Sequence, residues 1–284
     1  MYNVSMELSG RVLSGQILQG VREKVAKLAQ KGIIPELAII TVGGEEAWLS
    51  YVSQKLKTAE RLGIKTVLTN LSSNKEDELL HAIQKLNNNT NVHGIIVQRP
   101  IPQTYSREKI VNSIENVKDI DGFRSDSLYI VPVLLAIQHF IREAYGVLTA
   151  SDLKKVLINK AVCVVGKGET AGGPVTKWLS TLGVAYTTID SKTKNPCQEL
   201  KKADLIICAV GKSGVVKSTC LKQGVVLIGV GTHKENGKLT GDYYVEDIKK
   251  VARIWTPTPG GVGPLNLAYL FQNLVKAAEK INKE

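Results

Sequence analysis

The regular alternation of helix and strand patterns is the feature that most constrains the fold of this chain. Apolar residues recur at helical spacing over residues 11–30, and the apolar run LAIITV, typical of a buried strand, follows within 35–42. The pair of patterns repeats, with helices predicted at 50–62 and 76–86 and strands at 66–71 and 94–97. Alternating helices and buried strands favour a parallel sheet covered by helices, so we expect an α/β protein.

The pattern restarts in the second half of the chain, after a predicted helix over 132–145. Strands are predicted at 161–165, 184–189, 204–210 and 225–231, and a last helix is expected to begin at Pro264, since proline suits the first helical turn. We place a domain boundary near Gly146. The predicted domains are a Rossmann-like one over 147–264 and an α/β one formed by 1–146 and 265–284, with the last helix returning to it and a cleft between them.

Charge and hydropathy restrict the classes of partner. The 284 residues include 37 basic and 26 acidic ones, for a net charge of +11, but the basic residues are dispersed and no aromatic RNA-binding pattern accompanies them. Anionic metabolites are therefore simpler partners than nucleic acid. No apolar run approaches the roughly 20 residues that cross a bilayer, and the N-terminus does not resemble a signal peptide. We expect no membrane partner and a cytoplasmic location.

The cysteines and histidines carry no metal-binding pattern. The cysteines lack CxxC spacing, and the histidines have no partner four residues away or nearby carboxylate set. We expect no metal site, and we expect all four cysteines to be reduced and structural. These are Cys163, Cys197, Cys208 and Cys220.

A glycine-rich loop follows the strand predicted at 161–165. Gly166, Gly168 and Gly172 lie where a strand ends and a helix begins, and backbone N–H groups at such a point can bind a pyrophosphate. Three residues rather than two separate Gly168 from Gly172, which departs from the usual dinucleotide fingerprint. The alternative is a tight strand-to-helix turn without a ligand.

The next predicted strand ends at Asp190, which could accept hydrogen bonds from an adenosine ribose and so favours NAD. Lys167, Ser191 and Lys192 could instead bind the 2′-phosphate of NADP, which Asp190 would repel. A solvated turn acid is the alternative for Asp190. The sequence leaves the choice of dinucleotide open.

Candidate catalytic residues lie in the first half of the chain. Tyr51 and Lys55 share one face of a predicted helix, and a desolvated lysine is a candidate acid–base group, although a surface lysine is the alternative. Gln98 lies at the carboxyl end of a predicted strand, where ligand sites of α/β proteins collect. Asp121 lies in the turn KDIDGF, where a turn-stabilising role is the alternative.

Six segments in order resemble those of one family, the bifunctional methylenetetrahydrofolate dehydrogenase/methenyltetrahydrofolate cyclohydrolases. The resemblance covers nearly the whole chain. Its segments are YVSQKLK at 51–57, GIIVQRPIP at 94–102, KDIDGF at 118–123, GKGETAGGP at 166–174, ADLIICAVG at 203–211 and TPTPGGVGP at 256–264.

The resemblance implies an activity: 5,10-methylenetetrahydrofolate is oxidised with NAD(P), and the methenyl product is hydrolysed to 10-formyltetrahydrofolate. It implies that Lys55 is the acid–base residue, that Gln98 tunes it, that Tyr51 packs on the folate and that Asp121 binds the pterin. NADP is the expected cofactor, with NAD as the alternative because of Asp190. The remaining implied contacts are Pro259, Gly260 and Gly261 for the folate and nicotinamide, and Gly166 to Gly172 with Gly211 for the dinucleotide.

The resemblance also implies a homodimer that binds tetrahydrofolate derivatives, including polyglutamylated ones. The chain departs from the family at Trp48, where a small serine is common, at Arg99, which replaces an apolar residue, and at Leu134, which replaces a threonine. Lys167 and Gly168 replace an arginine–serine pair. Two alternatives follow: a dehydrogenase that has lost the hydrolysis, and a non-catalytic folate- or nucleotide-binding protein.

Overall fold

The computed structural model describes residues 5–43, 49–71 and 75–282. The chain divides into two compact units, which we call the three-stranded unit and the six-stranded unit after their sheets. The three-stranded unit comprises Gly15–Pro132 and Leu267–Glu284, and the six-stranded unit comprises Met1–Ser14 and Val133–Asn266. Trp48 lies outside the described residues, so its predicted effect has no structural counterpart here.

The helices and strands follow one another in the order that the sequence patterns predict, with additions. In chain order they are β1 (Met6–Glu7), α1 (Gly10–Ala29), β2 (Glu36–Val42), α2 (Leu49–Leu62), β3 (Lys65–Leu71), α3 (Glu76–Asn87), β4 (Gly94–Val97), α4 (Arg107–Ser113), α5 (Pro132–Tyr145), α6 (Ala150–Ile158), β5 (Val162–Val165), α7 (Gly172–Leu182), β6 (Tyr186–Ile189), α8 (Pro196–Leu200), β7 (Leu205–Cys208), β8 (Val226–Gly229), β9 (Thr232–Glu235), β10 (Lys238–Gly241), α9 (Val245–Ile248), β11 (Ile254–Trp255) and α10 (Val262–Ile281).

The three-stranded unit is built on a parallel sheet of order β3-β2-β4. Six of the seven residues of β2 are buried, because its side chains alternate between two apolar layers. Leu37 and Ile39 face a core that includes α1 and α10, whereas Ala38 and Ile40 face one that includes α3 and α4. The predicted return of the last helix is confirmed, although α10 begins at Val262 rather than at Pro264.

The six-stranded unit contains a parallel sheet of order β1-β11-β8-β7-β5-β6. Its central strands β5, β7 and β8 are fully buried, as expected for a parallel sheet with covered faces. The chain passes from β5 to β6 on one side and then to β7 on the other, so the strand order reverses at β5. Ligands of open α/β sheets bind beside the carboxyl ends of the strands at such a point. The expected Rossmann-like α/β architecture is confirmed.

The sequence patterns did not predict several of the strands. The strand predicted at 225–231 ends at Gly229, and the charged stretch after it forms the antiparallel hairpin of β9 and β10. The two-residue strands β1 and β11 are too short to give a periodic signal. None of the helices in the described ranges has the length and hydropathy needed to span a membrane.

The expectation that all four cysteines are reduced is wrong for two of them. Cys197 on α8 forms a disulfide with Cys220 in a short 3-10 turn, and their Cα atoms are 4.7 Å apart. The two cysteines are 23 residues apart in sequence, so only the tertiary fold brings them together. Cys163 and Cys208 are free and buried, as expected for small apolar side chains in strands. Within the described residues, no cluster of His, Cys, Asp and Glu could hold a metal ion.

Candidate functional site

Lys55 and Gln98 are brought into direct contact in the three-stranded unit. Gln98 follows β4, and its backbone N–H donates to the carbonyl of Ile40 over 2.8 Å, which fixes it at the carboxyl edge of the sheet. Lys55 on α2 donates from Nζ to Gln98 Oε1 over 2.7 Å. The amide of Gln98 is held in this orientation because its Nε2 donates to the carbonyl of Arg99 over 2.8 Å.

Burial changes the pKa values of Lys55 and of the nearby Asp121. It lowers the pKa of Lys55, and the nearby charge of Asp121 opposes that shift. Burial also raises the pKa of Asp121, against the opposing charges of Lys55 and Arg99. A lysine whose ammonium form is destabilised can accept and return protons, which acid–base chemistry requires. Tyr51 lies one helical turn before Lys55, with 45% of its surface exposed.

The turn that carries Asp121 is stabilised by its neighbours. Lys118 is buried and donates from Nζ to the carbonyls of Leu86, Asn87 and Asn89 at the end of α3. Asp119 accepts the backbone N–H of Arg124 over 3.0 Å, and burial raises the pKa of Asp119 to about 6. The carboxylate of Asp119 therefore stabilises the turn that carries Asp121.

The glycine-rich loop of the six-stranded unit closes tightly on itself. Gly166 follows β5 with φ +93°, and a Cβ there would lie 2.5 Å from the carbonyl oxygen of Ala209 after β7. A Cβ on Gly172, the first residue of α7, would lie 2.0 Å from the carbonyl oxygen of Gly166. Gly168 is exposed and has open space around it. The loop thus leads from the strand-order reversal at β5 directly into a helix N-terminus.

Asp190 forms an ion pair with Lys167 and accepts a hydrogen bond from the backbone of Lys192. Lys167 Nζ lies 3.2 Å from Asp190 Oδ2, and the backbone N–H of Lys192 donates to Asp190 Oδ1 over 3.0 Å. The bond from Lys192 and the one from Lys167 lower the pKa of Asp190. Ser191 is exposed in the same turn.

Asp242 is a structural residue of this edge that sequence reasoning missed. It is buried, and its carboxylate accepts the backbone N–H groups of Gly211 over 2.6 Å, Lys212 over 3.2 Å and Gly231 over 2.9 Å. Asp242 therefore fixes the loops after β7 and β8, which include the predicted contact Gly211. It follows a hairpin without any hydropathy pattern, so no local signal marks it.

The loop TPTPGGVGP is anchored within the six-stranded unit. Gly260 accepts the backbone N–H of Arg11 over 3.1 Å, and a Cβ on Gly10 would lie 1.8 Å from the carbonyl oxygen of Gly261. Thr256 Oγ1 accepts the N–H of Gly229 over 2.8 Å. Pro259 is exposed beside the two buried glycines. The departure at Leu134 is a buried residue of α5.

Comparison with known proteins gives matches over both parts of the chain. Residues 8–121 match the catalytic domain of the tetrahydrofolate dehydrogenase/cyclohydrolase family, and residues 144–282 match its NAD(P)-binding domain. The bifunctional protein FolD of Staphylococcus carnosus is 38% identical over 291 residues, which cover 99% of each chain.

Solved structures are similar as well. The bifunctional FolD dehydrogenase/cyclohydrolase of Campylobacter jejuni has a TM-score of 0.87 and 34% identity, and covers 97% of this chain and 99% of its own. The Trypanosoma brucei FolD, solved with an NADP cofactor and an inhibitor, has a TM-score of 0.88 and 26% identity, with 99% of each chain covered.

The two parallel sheets, together with the matched catalytic and NAD(P)-binding domains, place the chain in the class of two-domain α/β dehydrogenases that use a nicotinamide dinucleotide. Within that class, the chain belongs to the tetrahydrofolate dehydrogenase/cyclohydrolase family.

Proposed function

We propose that this protein oxidises 5,10-methylenetetrahydrofolate and hydrolyses the methenyl product to 10-formyltetrahydrofolate, with Lys55 as the acid–base residue of the hydrolysis. The observation that carries the proposal is the 2.7 Å contact between Lys55 and Gln98, beside Asp121. A binding protein has no need for a lysine with a lowered pKa that an oriented amide holds in place.

The hydrolysis requires proton transfers that this geometry supports. Water adds to the methenyl carbon, and neutral Lys55 accepts the proton that the water loses. The same proton then passes to N5 as the bond between N5 and that carbon breaks, and the hydroxyl group on the carbon releases its remaining proton to solvent, which leaves the formyl group on N10. Gln98 holds the amine through its Oε1, Tyr51 packs beside the folate, and Asp121 binds the pterin. Burial of Lys55 favours the neutral amine that the first transfer requires.

Supplying the methenyl compound directly separates this function from a dehydrogenase that has lost hydrolysis. Without any dinucleotide, the protein should speed the decay of the methenyl absorbance, because the hydrolysis needs only water and Lys55. A decay no faster than in buffer would contradict the hydrolase part of the proposal. Turnover of the methylene compound in the same preparation would then favour the dehydrogenase alone.

The residues of the six-stranded unit fit a dinucleotide. The absence of side chains at Gly166, Gly168 and Gly172 lets a pyrophosphate approach the backbone and the N-terminus of α7. We assign the dinucleotide to this turn and to Gly211, and the folate and nicotinamide to Pro259, Gly260 and Gly261. When bound, the nicotinamide accepts the hydride that leaves the methylene carbon.

NADP is the proposed dinucleotide, with a 2′-phosphate between Lys167, Ser191 and Lys192. The Trypanosoma brucei relative was solved with NADP, which supports the proposal. Asp190 is compatible with a bound 2′-phosphate because Lys167 compensates the negative charge of the carboxylate. Lys167 Nζ lies 3.2 Å from Asp190 Oδ2. NAD remains the alternative if Asp190 contacts the ribose hydroxyl groups instead.

Replacing Asp190 by asparagine should shift the preference further towards NADP. The substitution removes the negative charge near the 2′-phosphate and releases Lys167, so the ratio of kcat/KM for NADP to that for NAD should rise about tenfold, as for loss of one like charge. The control is Asp152→Asn on α6, which breaks an ion pair of the same 3.2 Å length with Lys155. An unchanged ratio in Asp190→Asn would remove Asp190 from dinucleotide selection.

The proposed substrates include polyglutamylated folates, and the proposed assembly is a homodimer. Support for a dimer comes from β3, an edge strand of the three-stranded sheet with Val67 and Leu68 exposed. An apolar edge strand offers backbone hydrogen bonds to a further strand, and natural proteins usually cover such an edge.

A further inference from the structure

Arg99 lies next to the proposed catalytic group, and the chemistry described above does not use it. It follows Gln98 in sequence, and its carbonyl accepts the Gln98 amide that orients Lys55. Its guanidinium lies over the ring of Phe123, with Cζ 4.8 Å from the ring centroid. Arg99, Phe123 and Asp121 line the same small cavity. The cation–π contact therefore holds the arginine in the cavity that the Asp121 side chain also lines.

The charges around Asp121 explain what an arginine can do there. Among the described residues, Lys55 and Arg99 are the cations whose charges oppose the rise in the pKa of Asp121. If Lys55 were the sole counter-charge, each loss of its proton would leave the half-buried Asp121 carboxylate uncompensated, which is costly. Burial and the charge of Arg107 lower the pKa of Arg99, and the charge of Asp121 opposes that shift. A guanidinium starts from a much higher pKa than a lysine amine, so Arg99 keeps its charge over the pH range in which Lys55 loses its proton.

We propose that Arg99 is a positioning residue that supplies a second counter-charge to Asp121, so that Lys55 exchanges its proton without leaving the half-buried carboxylate uncompensated. The inference rests on the proposed function, because it concerns the hydrolysis step. Arg99 acts through Asp121 and Lys55 and does not contact the reacting carbon. It makes neutral Lys55 available at a lower pH than a pair of Lys55 and Asp121 alone would allow.

The other charged groups of this region are Arg107 on α4 and Asp119 in the turn. Arg107 lines the same cavity and repels Arg99, but it does not contribute to the shift of Asp121. Burial and the charge of Asp121 raise the pKa of Asp119 to about 6 against its hydrogen bonds, and Arg99 is not among the causes of that shift. A shift of the pH profile that depends on the charge at position 99 can therefore be distinguished from an effect of the titration of Asp119.

The test compares the pH dependence of methenyl hydrolysis in the parent protein and in Arg99→Met. Without the charge of Arg99, the Asp121 carboxylate depends on Lys55 for compensation and holds the proton on Lys55 more strongly, so neutral Lys55 appears only at higher pH. The acid limb of the kcat profile should move up by about one pH unit, an ordinary effect of one nearby charge. At a pH below the limb, the variant should be about tenfold slower than the parent.

Three controls make the result specific. Arg99→Lys is protonated on the acid side of the profile, so it keeps the positive charge there and should keep the acid limb of the parent. Arg107→Met removes a cation from the same cavity and should also leave the limb in place. The pH profile of the dehydrogenase step should not move in Arg99→Met, because hydride transfer depends on position rather than on a base. If Arg99→Met does not fold, Arg99→Gln provides a second neutral variant.

The outcomes separate this inference from the proposed function. A parent protein that does not hydrolyse the methenyl compound overturns both. An active parent whose Arg99→Met variant keeps the same acid limb overturns the role of Arg99 and leaves the proposed function standing. A limb that moves in Arg99→Met and is restored in Arg99→Lys establishes the role.

Discussion

Replacing Lys55 by methionine is expected to reduce methenyl hydrolysis about 10³-fold, within the range that general acid–base catalysis contributes. Methionine keeps the length and the apolar stem of the side chain but cannot carry a proton. The lost contact is the 2.7 Å hydrogen bond to Gln98. The decay of methenyl absorbance at saturating substrate measures the effect. Hydride transfer should persist within about tenfold of the parent, since it depends on positioning rather than on a base at Lys55.

The matched control for this variant is Lys57→Met. Lys57 lies on the same helix α2, belongs to the same sequence segment and is exposed. It should hydrolyse the methenyl compound at the parent rate, so that a general effect of losing a lysine from α2 is excluded. Hydrolysis at the parent rate in Lys55→Met would refute the assignment of Lys55, provided that the variant is folded.

Replacing Gly172 by alanine should damage the dinucleotide site and the stability of the protein together. The new Cβ would lie 2.0 Å from the carbonyl oxygen of Gly166, so the turn after β5 must move. Overpacking of this kind lowers the free energy of unfolding by about 2 kcal/mol or more. The displaced backbone would also misplace the N–H groups at the start of α7, and we expect at least about tenfold weaker NADP binding, or about 1.4 kcal/mol.

Gly168→Ala provides the comparison within the same loop. A Cβ at Gly168 meets nothing within 4 Å, and the residue is exposed. Its denaturant-induced unfolding should match that of the parent within about 0.5 kcal/mol, as for other surface substitutions. Titration of both variants with NADP, followed by fluorescence, measures the binding. Equal stability and affinity in Gly172→Ala and the parent would contradict the tight turn that the structure describes.

The sequence predicts those parts of the fold that have a periodic signal. The apolar run of β2 and the run GIIV of β4 identify the strands correctly, because both lie between two covered faces. The sequence could place Lys55 and Gln98 only near the same edge of the sheet, and it could not predict their direct contact. The carboxyl end of a strand places Gln98, but the approach of α2 depends on tertiary packing. The resemblance to a family supplied the link between the two residues.

Other features depend on contacts between distant segments and leave no local pattern. Asp242 binds N–H groups from two loops that are 11 and 31 residues away in sequence. The disulfide of Cys197 and Cys220 depends in the same way on the packing of α8 against a 3-10 turn. The opposition between Lys167 and Asp190, which the sequence left open, becomes an ion pair in the fold. Its effect on dinucleotide choice still needs the Asp190→Asn comparison.

The most direct test of the central claim is a spectrophotometric assay of the purified protein with 5,10-methylenetetrahydrofolate and either NADP or NAD. Reduced nicotinamide and methenyl absorbance are followed together. We expect reduced nicotinamide to form with NADP while methenyl does not accumulate, because Lys55 hydrolyses it as it appears. Methenyl that accumulates in step with reduced nicotinamide would contradict the bifunctional account, and no signal with either dinucleotide would contradict both halves of it.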